Sequence, residues 1–332
     1  MASRKDAVKA GGRASRAPLE EALAPGMRAP LYIGWQLTNA CDLACVHCIE
    51  ESGPGRAFKD ELTREQAFRI LEQIKTEQVP YVAFSGGEPF LHPHFLELAA
   101  FLGDAGVSLK VETNGRHLTE AAASALRDHG VRAVQVSLDG ATPEAYRKVR
   151  PSGDHARVLA GIRLLRSRGV EVEVNFVPTR HNVHEIGAAV DLAFSEGVSG
   201  FYTGRLILAG HAAKARDLAP TQEQYDAFFA CLKAKAQEYK GRMTVRYHEL
   251  GIAQEVRYRM ANPAALFVIL PDGRVKLLNA LPFVCGDLRE QSLTEVWKAF
   301  LAGWKSPRVA DFVGRLEADP GLLQGLHRWI PL

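Results

Sequence analysis

The chain has 332 residues, of which 47% are hydrophobic, 24% charged and 8% aromatic, enough apolar content for one large globular domain or two ordinary ones. A formal charge of +3, spread along the sequence, forms no basic patch of the kind nucleic acid needs, and the uncharged apolar run Ala261–Pro271 falls well short of the roughly 20 residues that span a bilayer. Five cysteines, three of them within Cys41–Cys48, are too few and too clustered for a disulfide framework.

Residues 1–30 hold Arg4, Lys5, Lys9, Arg13 and Arg16 among alanine and glycine, without the apolar run of a secretion signal. A flexible basic arm is expected there, and free thiols with no export signal point to the reducing cytoplasm. From residue 31 short apolar runs alternate with longer amphipathic segments, the pattern of β-α units around a parallel sheet. Strands are expected at Tyr32–Gln36, Tyr81–Ser85, Ser108–Glu112, Val134–Leu138, Glu171–Val177 and Gly200–Ile207. Helices between them have start signals: Thr63 with Gln66 forms a capping box, and Pro143 follows Thr142 at the first helical position. Because β-α-β crossovers are right-handed, six such units curl into a partial (β/α)6 TIM-like barrel over residues 31–215, with the loops at the C-terminal strand ends meeting at one mouth.

Past residue 215 the alternation is expected to stop, leaving residues 216–332 as a small α+β C-terminal extension. Thr221–Tyr239 reads as a helix with Tyr225, Phe228, Phe229, Leu232 and Ala236 on one face. Leu266–Leu270 and Arg274–Leu278 flank Pro271-Asp272-Gly273 as a hairpin, and Ser292 with Glu295 caps a last helix carrying Trp297 and Phe300.

The chemistry concentrates on the loop after the first strand, Thr38-Asn39-Ala40-Cys41-Asp42-Leu43-Ala44-Cys45-Val46-His47-Cys48. Three soft sulfur ligands suit a thiophilic metal or an iron–sulfur cluster, and three instead of four leave one iron of a four-iron cluster open to a small molecule. The competing reading is a structural zinc that adds His47 to the three thiolates, an awkward geometry for a ring between Val46 and Cys48. Ser85-Gly86-Gly87-Glu88-Pro89, Glu112-Thr113-Asn114-Gly115 and Ser137-Leu138-Asp139-Gly140 close the second, third and fourth strands. Each reads singly as a turn or helix cap, the glycines also permitting a close backbone approach to a ligand.

Together these residues resemble the radical S-adenosylmethionine (SAM) enzymes, whose C-x3-C-x2-C motif follows the first barrel strand. Cys41, Cys45 and Cys48 match it, with His47 where an aromatic is more usual. The resemblance implies that these three are the metal ligands of one [4Fe-4S] cluster. It implies that SAM chelates the open iron and is reductively cleaved to a 5′-deoxyadenosyl radical that abstracts hydrogen from a substrate. Gly86, Gly87, Glu88 and Pro89 look like the family's GGEP segment at the SAM ammonium, and Thr113 and Asn114 like its ribose-proximal turn. Ser137 and Asp139 look like its S-x-D-G. The resemblance also turns Arg150 and Asn175 toward SAM and sets Arg205 against its carboxylate.

Pro271–Val275 and Gly286–Leu293 with Trp297 resemble the SPASM or twitch extension, here lacking the cysteines of an auxiliary cluster, so one cluster is expected. Cys231 and Cys285 are expected either as inert buried thiols or, as in radical SAM peptide epimerases, as a hydrogen-atom donor to a substrate radical. The implied function is peptide maturation or the building of a specialised metabolite or cofactor, alternatively the tailoring of a sugar nucleotide, nucleoside or porphyrin. The implied partners are that substrate and an external electron donor such as flavodoxin or ferredoxin, with no nucleic acid or membrane. A zinc-stabilised binding protein without turnover is the reading from another class.

Overall fold

The computed structural model describes residues 26–323 and 328–332, so the basic arm expected over residues 1–30 lies almost wholly outside the described residues. Strand and helix alternate from the start: β1 (Tyr32–Gln36), α1 (Arg64–Thr76), β2 (Tyr81–Ser85), α2 (Phe95–Asp104), β3 (Ser108–Thr113), α3 (Glu120–Asp128) and β4 (Ala133–Ser137). Next come α4 (Pro143–Val149), α5 (His155–Ser167), β5 (Glu171–Phe176), α6 (Ile186–Ser195) and β6 (Gly200–Gly204). The helix starts follow the sequence signals: Thr63 and Gln66 cap α1 reciprocally, and the Thr142 side chain accepts from Ala145 N with Pro143 in the first turn of α4.

The alternation then continues beyond the expected end of the barrel. After α7 (Gln222–Glu238), β7 (Thr244–His248) pairs parallel with β6, and after α8 (Ile252–Ala261), β8 (Leu266–Ile269) pairs parallel with β1. Eight parallel strands therefore stand in the order β8-β1-β2-β3-β4-β5-β6-β7, and among the described residues no pairing joins β7 to β8, so the barrel is open there. The extra unit was hidden because β7 is a half-exposed edge strand, Thr-Val-Arg-Tyr-His, with no apolar run to signal it. The expected hairpin is present, β8 turning through Gly273 into antiparallel β9 (Arg274–Lys276), while the other edge of β8 serves the parallel sheet.

Strand β10 (Phe283–Asp287) adds antiparallel to β9, and β11 (Ile330–Pro331) parallel to β10. Helix α9 (Leu293–Gly303) carries Trp297 and Phe300 into the core as expected. It is not the last helix, since α10 (Pro307–Ala318) follows, opened by Ser306 and Pro307. Strand β6 ends at Gly204, three residues before the expected Ile207.

Strand periodicity divides the sheet. Ile33, Trp35, Val82, Phe84, Leu109, Val111, Val134 and Val136 are buried in the core with the outer helices, Trp35 meeting Phe84 edge-on at 5.8 Å. Alternate residues Lys110, Gln135 and Asn175 line a cavity on the concave side. No described helix is long and apolar enough to cross a membrane.

Candidate active site

The chain leaves β1 at Leu37, whose N–H donates to Ser85 O at 3.0 Å, and enters the cysteine loop. The Glu61 carboxylate anchors the entry by accepting from Thr38 Oγ1 (3.0 Å), Asn39 N (2.8 Å) and Phe58 N (3.0 Å). His211, past β6, clamps the far end: its N–H donates to Cys48 O at 2.9 Å and its ring Nδ1 donates to Cys45 O at 3.0 Å. Neither Glu61 nor His211 belongs to a sequence motif, and both are sites the sequence reading missed.

Cys41 and Cys45 are buried with Cys48 packed against them, and all five cysteines are free. N–H groups surround the sulfurs: Leu43 N donates to Cys41 Sγ at 3.4 Å, Asn114 Nδ2 lies 3.8 Å from the same atom, and Arg150 Nη1 donates to Cys45 Sγ at 3.4 Å. Burial pushes the Cys41 thiol up to about 12 and that of Cys45 to about 11, and raises Cys48 as well. The thiols therefore hold their protons until a metal centre displaces them, and the N–H donors are placed to stabilise sulfur anions. Among the described residues no three His, Cys, Asp or Glu side chains come together around a single ion. His47 is engaged elsewhere, its Nε2 pairing with Asp139 Oδ2 at 3.1 Å. The zinc site that joins His47 to the three thiolates is thus not the arrangement found.

The close approach permitted by Gly86 and Gly87 is to the cysteine loop itself. Gly87 N donates to Thr38 O at 2.7 Å and Glu88 N to Ala40 O at 2.8 Å. A Cβ on Gly86, whose φ is +131°, would fall 2.4 Å from Thr38 O, and one on Gly87 2.1 Å from Ala40 O. Pro89, itself buried, opens a short 3-10 turn. Glu88 is fully buried and faces the next strand end, accepting from Thr113 Oγ1 (2.8 Å), Asn114 N (2.8 Å) and Phe90 N (3.3 Å).

Burial raises the Glu88 carboxyl to about 7 against those hydrogen bonds. The folded state thus binds this proton more tightly than the unfolded state, whose carboxyl sits near 4.5, so its contribution to stability is full below about pH 4.5 and is lost as pH rises through about 7. Urea midpoints compared from pH 5 to 8 are expected to fall for the wild type relative to Glu88→Gln. Parallel pH profiles for the two proteins would contradict this.

Thr113 and Asn114 close the same junction, Asn114 Nδ2 donating to Asp42 Oδ1 at 2.9 Å while Asp42 Oδ2 also meets His117 Nε2 at 3.0 Å. Asp139 is fully buried between Arg150 Nε (2.5 Å), His47 and the N–H of Val177 (2.7 Å). Burial opposes its ionisation, but Arg150 and then His47 outweigh that and hold the carboxyl well below the usual range. Ser137 stands opposite Asn175 in register at the ends of β4 and β5.

Arg205 follows β6, its Nε donating to Glu249 O at 2.7 Å and its guanidinium stacked 4.3 Å over Tyr225. The two hydrogen-donor candidates stand on α7 and β10. Cys231 lies in the outer layer where α7 packs on α6, its sulfur 3.2 Å from where a Cβ on Gly187 would stand. Cys285 is buried on β10, its thiol donating to Val275 O at 3.3 Å and pushed by burial to about 12. Neither joins the small cluster formed by the other three cysteines.

Beside the loop a cavity of about 480 Å³ opens at the ends of β5, β6 and β7 under α8. Its wall residues Val177 and Leu206 belong to the same small apolar cluster as Val46 of the cysteine loop.

An open parallel α/β barrel whose first loop gathers three free thiols, braced by the ends of the next three strands, has the layout of an enzyme with its site at the barrel mouth. Residues 35–193 match the family model described as the Radical SAM superfamily, so the chain carries a radical SAM domain and is an enzyme. It is 28% identical over 292 residues to an AdoMet-dependent heme synthase of Methanosarcina barkeri, covering 81% of this chain and 82% of that protein. It is 36% identical over 214 residues to the mycofactocin maturase MftC of Mycobacterium ulcerans, where the match takes in 64% of this chain but only 57% of the maturase. In fold it is similar to Streptococcus suis SuiB bound to S-adenosylmethionine, with a TM-score of 0.69 at 14% identity, covering 84% of this chain and 68% of that one. The superfamily implies SAM and a [4Fe-4S] cluster as cofactors.

Proposed function

We propose that Cys41, Cys45 and Cys48 hold one [4Fe-4S] cluster, that SAM binds beside it, and that the enzyme abstracts hydrogen from a small metabolite, cofactor precursor or peptide. The observation that carries this reading is the thiol loop: three free thiols on one loop, two of them buried and met by N–H donors from Leu43, Asn114 and Arg150. When bound, the cluster and SAM together supply the 5′-deoxyadenosyl radical.

The chain's residues then divide by exposure. Glu88, Thr113, Asn114, Asp139 and Arg150 are buried and already engaged, and they act by positioning the loop. Ser137 and Asn175, at the strand ends, are the candidates to touch SAM, while Gly86 and Gly87 seat the cysteine loop beside it. The buried surroundings of Cys41 and Cys45 keep water from the reacting atoms. An external donor of the flavodoxin or ferredoxin type supplies the electron, in a reducing cytoplasm that keeps the thiols free.

Tailoring of a small metabolite or cofactor precursor is favoured by the likeness to the heme synthase along most of both chains and by a cavity of about 480 Å³. Peptide maturation is supported by the higher identity to MftC over a shorter match of 214 residues.

Anaerobic reconstitution with iron and sulfide tests the core of the proposal. The wild type is expected to turn brown and cleave SAM to 5′-deoxyadenosine under dithionite, and Cys41→Ala, Cys45→Ala or Cys48→Ala to lose iron and at least about a thousandfold of that cleavage, roughly 4 kcal/mol of barrier. A colourless wild type that takes up zinc and leaves SAM intact would overturn it.

A further inference from the structure

The cavity under α8 has an unbalanced set of charges that the proposed chemistry at the thiols does not use. Five basic side chains line it, Lys110, Arg205, Arg246, His248 and Arg259, against one acid, Glu255. Two of the cations are already neutralised. Lys110 Nζ lies 2.9 Å from Glu173 Oε2, and Arg259 Nε donates to Glu255 Oε1 at 2.7 Å.

Arg205, Arg246 and His248 remain, and among the described residues neither arginine has a carboxylate partner. Arg205 spends its Nε on the Glu249 carbonyl and stacks on Tyr225, which holds the guanidinium flat and leaves its terminal nitrogens unpaired with acid. Arg246 stands on β7 at the open edge of the barrel, 5.7 Å over the Tyr202 ring. The remaining wall sets the polar Gln135, Asn175 and Thr203 beside an apolar side made by Phe176, Val177, Leu206 and Ile207. Two arginines fixed on aromatic rings beside an apolar wall make a receptor for a molecule with an apolar body and an oxyanion at one end.

We propose that this cavity is the substrate site and that Arg246, with Arg205, binds an oxyanion of the substrate, a carboxylate or a phosphate. The proposal rests on the radical SAM reading for calling the ligand a substrate. It sets the anion at β6 and β7, whereas the segments assigned to SAM lie at β2 to β5. Arg205, which the sequence placed against the SAM carboxylate, is thereby assigned to the substrate. Val177 and Leu206 of the cavity wall share an apolar cluster with Val46, which ties that wall to the cysteine loop.

The test uses the full-length reconstituted protein and fluorescent probes. The anionic dye 1-anilinonaphthalene-8-sulfonate is bound and then displaced by 1-naphthylacetate, 1-naphthyl phosphate or the uncharged 1-naphthylacetamide. At least one of the two acids is expected to displace the dye about tenfold more effectively than the amide, and the stronger acid identifies the group as carboxylate or phosphate. Arg246→Gln is expected to remove that preference while keeping its affinity for neutral N-phenyl-1-naphthylamine, which shows the site still folded, and to leave SAM affinity unmoved.

Equal displacement by acids and amide, or an acid preference that survives Arg246→Gln, would overturn the proposal. So would a parallel loss of SAM affinity, which would return the arginine to SAM. If the wild type shows the acid preference but never cleaves SAM, the anion site stands and it is the radical SAM reaction that fails.

Discussion

Replacing Arg150 by methionine is expected to lower stability by about 3–5 kcal/mol in urea denaturation at pH 7, the cost of stranding a buried charge. Asp139 has no exposed side-chain surface and Arg150 only 9%, and their contact at 2.5 Å lies directly behind Cys45. With the guanidinium gone, the carboxylate keeps His47 and the Val177 N–H but loses the cation that contributes most to its ionisation. The double variant Asp139→Leu with Arg150→Met removes both charges and is expected to recover most of the loss, giving a coupling of at least about 2 kcal/mol in a double-mutant cycle. Purely additive losses would show that the pair is not the unit described here.

The pair also bears on acid stability. Asp139 is held below its ordinary value, so the stability it contributes is complete above about pH 4 and is lost as pH falls through its lower folded value. Arg150→Met is expected to blunt that acid limb.

What could be read from the sequence was what is local in it. The strands β1 to β6, the capping boxes at Thr63 and Ser292 and the cysteine spacing are each written within a few residues, and the structure places them where the spacing implied. Arg150 was singled out by its motif, but its contact to Cys45 crosses 105 positions and no periodicity announces it. Glu61 and His211 fix the two ends of the cysteine loop through hydrogen bonds to backbone, which leave no signature in side-chain patterning.

The eighth parallel strand was read as half of a hairpin because one of its edges is one. Its second edge, paired in register with Tyr32–Trp35, depends on a chain separation that only the fold supplies. The glycine pair was legible as a close approach, but the partner of that approach was not. The sequence suggested a ligand, and the structure shows the backbone of Thr38–Ala40.

That reassignment makes Gly87→Ala a severe substitution. The added methyl would lie 2.1 Å from Ala40 O, 2.6 Å from Ala40 C and 2.9 Å from Asn39 O, all backbone atoms that cannot rotate away. Relief requires the loop to retreat by about 1 Å, which breaks the bonds from Gly87 N and Glu88 N to Thr38 and Ala40 and carries Cys41, the next residue, with it. A displacement of that size at reacting groups costs about a hundredfold in rate, so SAM cleavage is expected to fall at least that far, with iron retention falling in parallel. Gly106→Ala is the control for backbone strain alone: its φ is +71° and nothing lies within 4 Å of the added methyl, so it should cost only about 1 kcal/mol and leave iron content unchanged. If Gly87→Ala retained iron and cleaved SAM at the wild-type rate, the glycine pair would not be what seats the cysteine loop. If it lost SAM binding but kept its iron, the glycines would be facing the ligand after all.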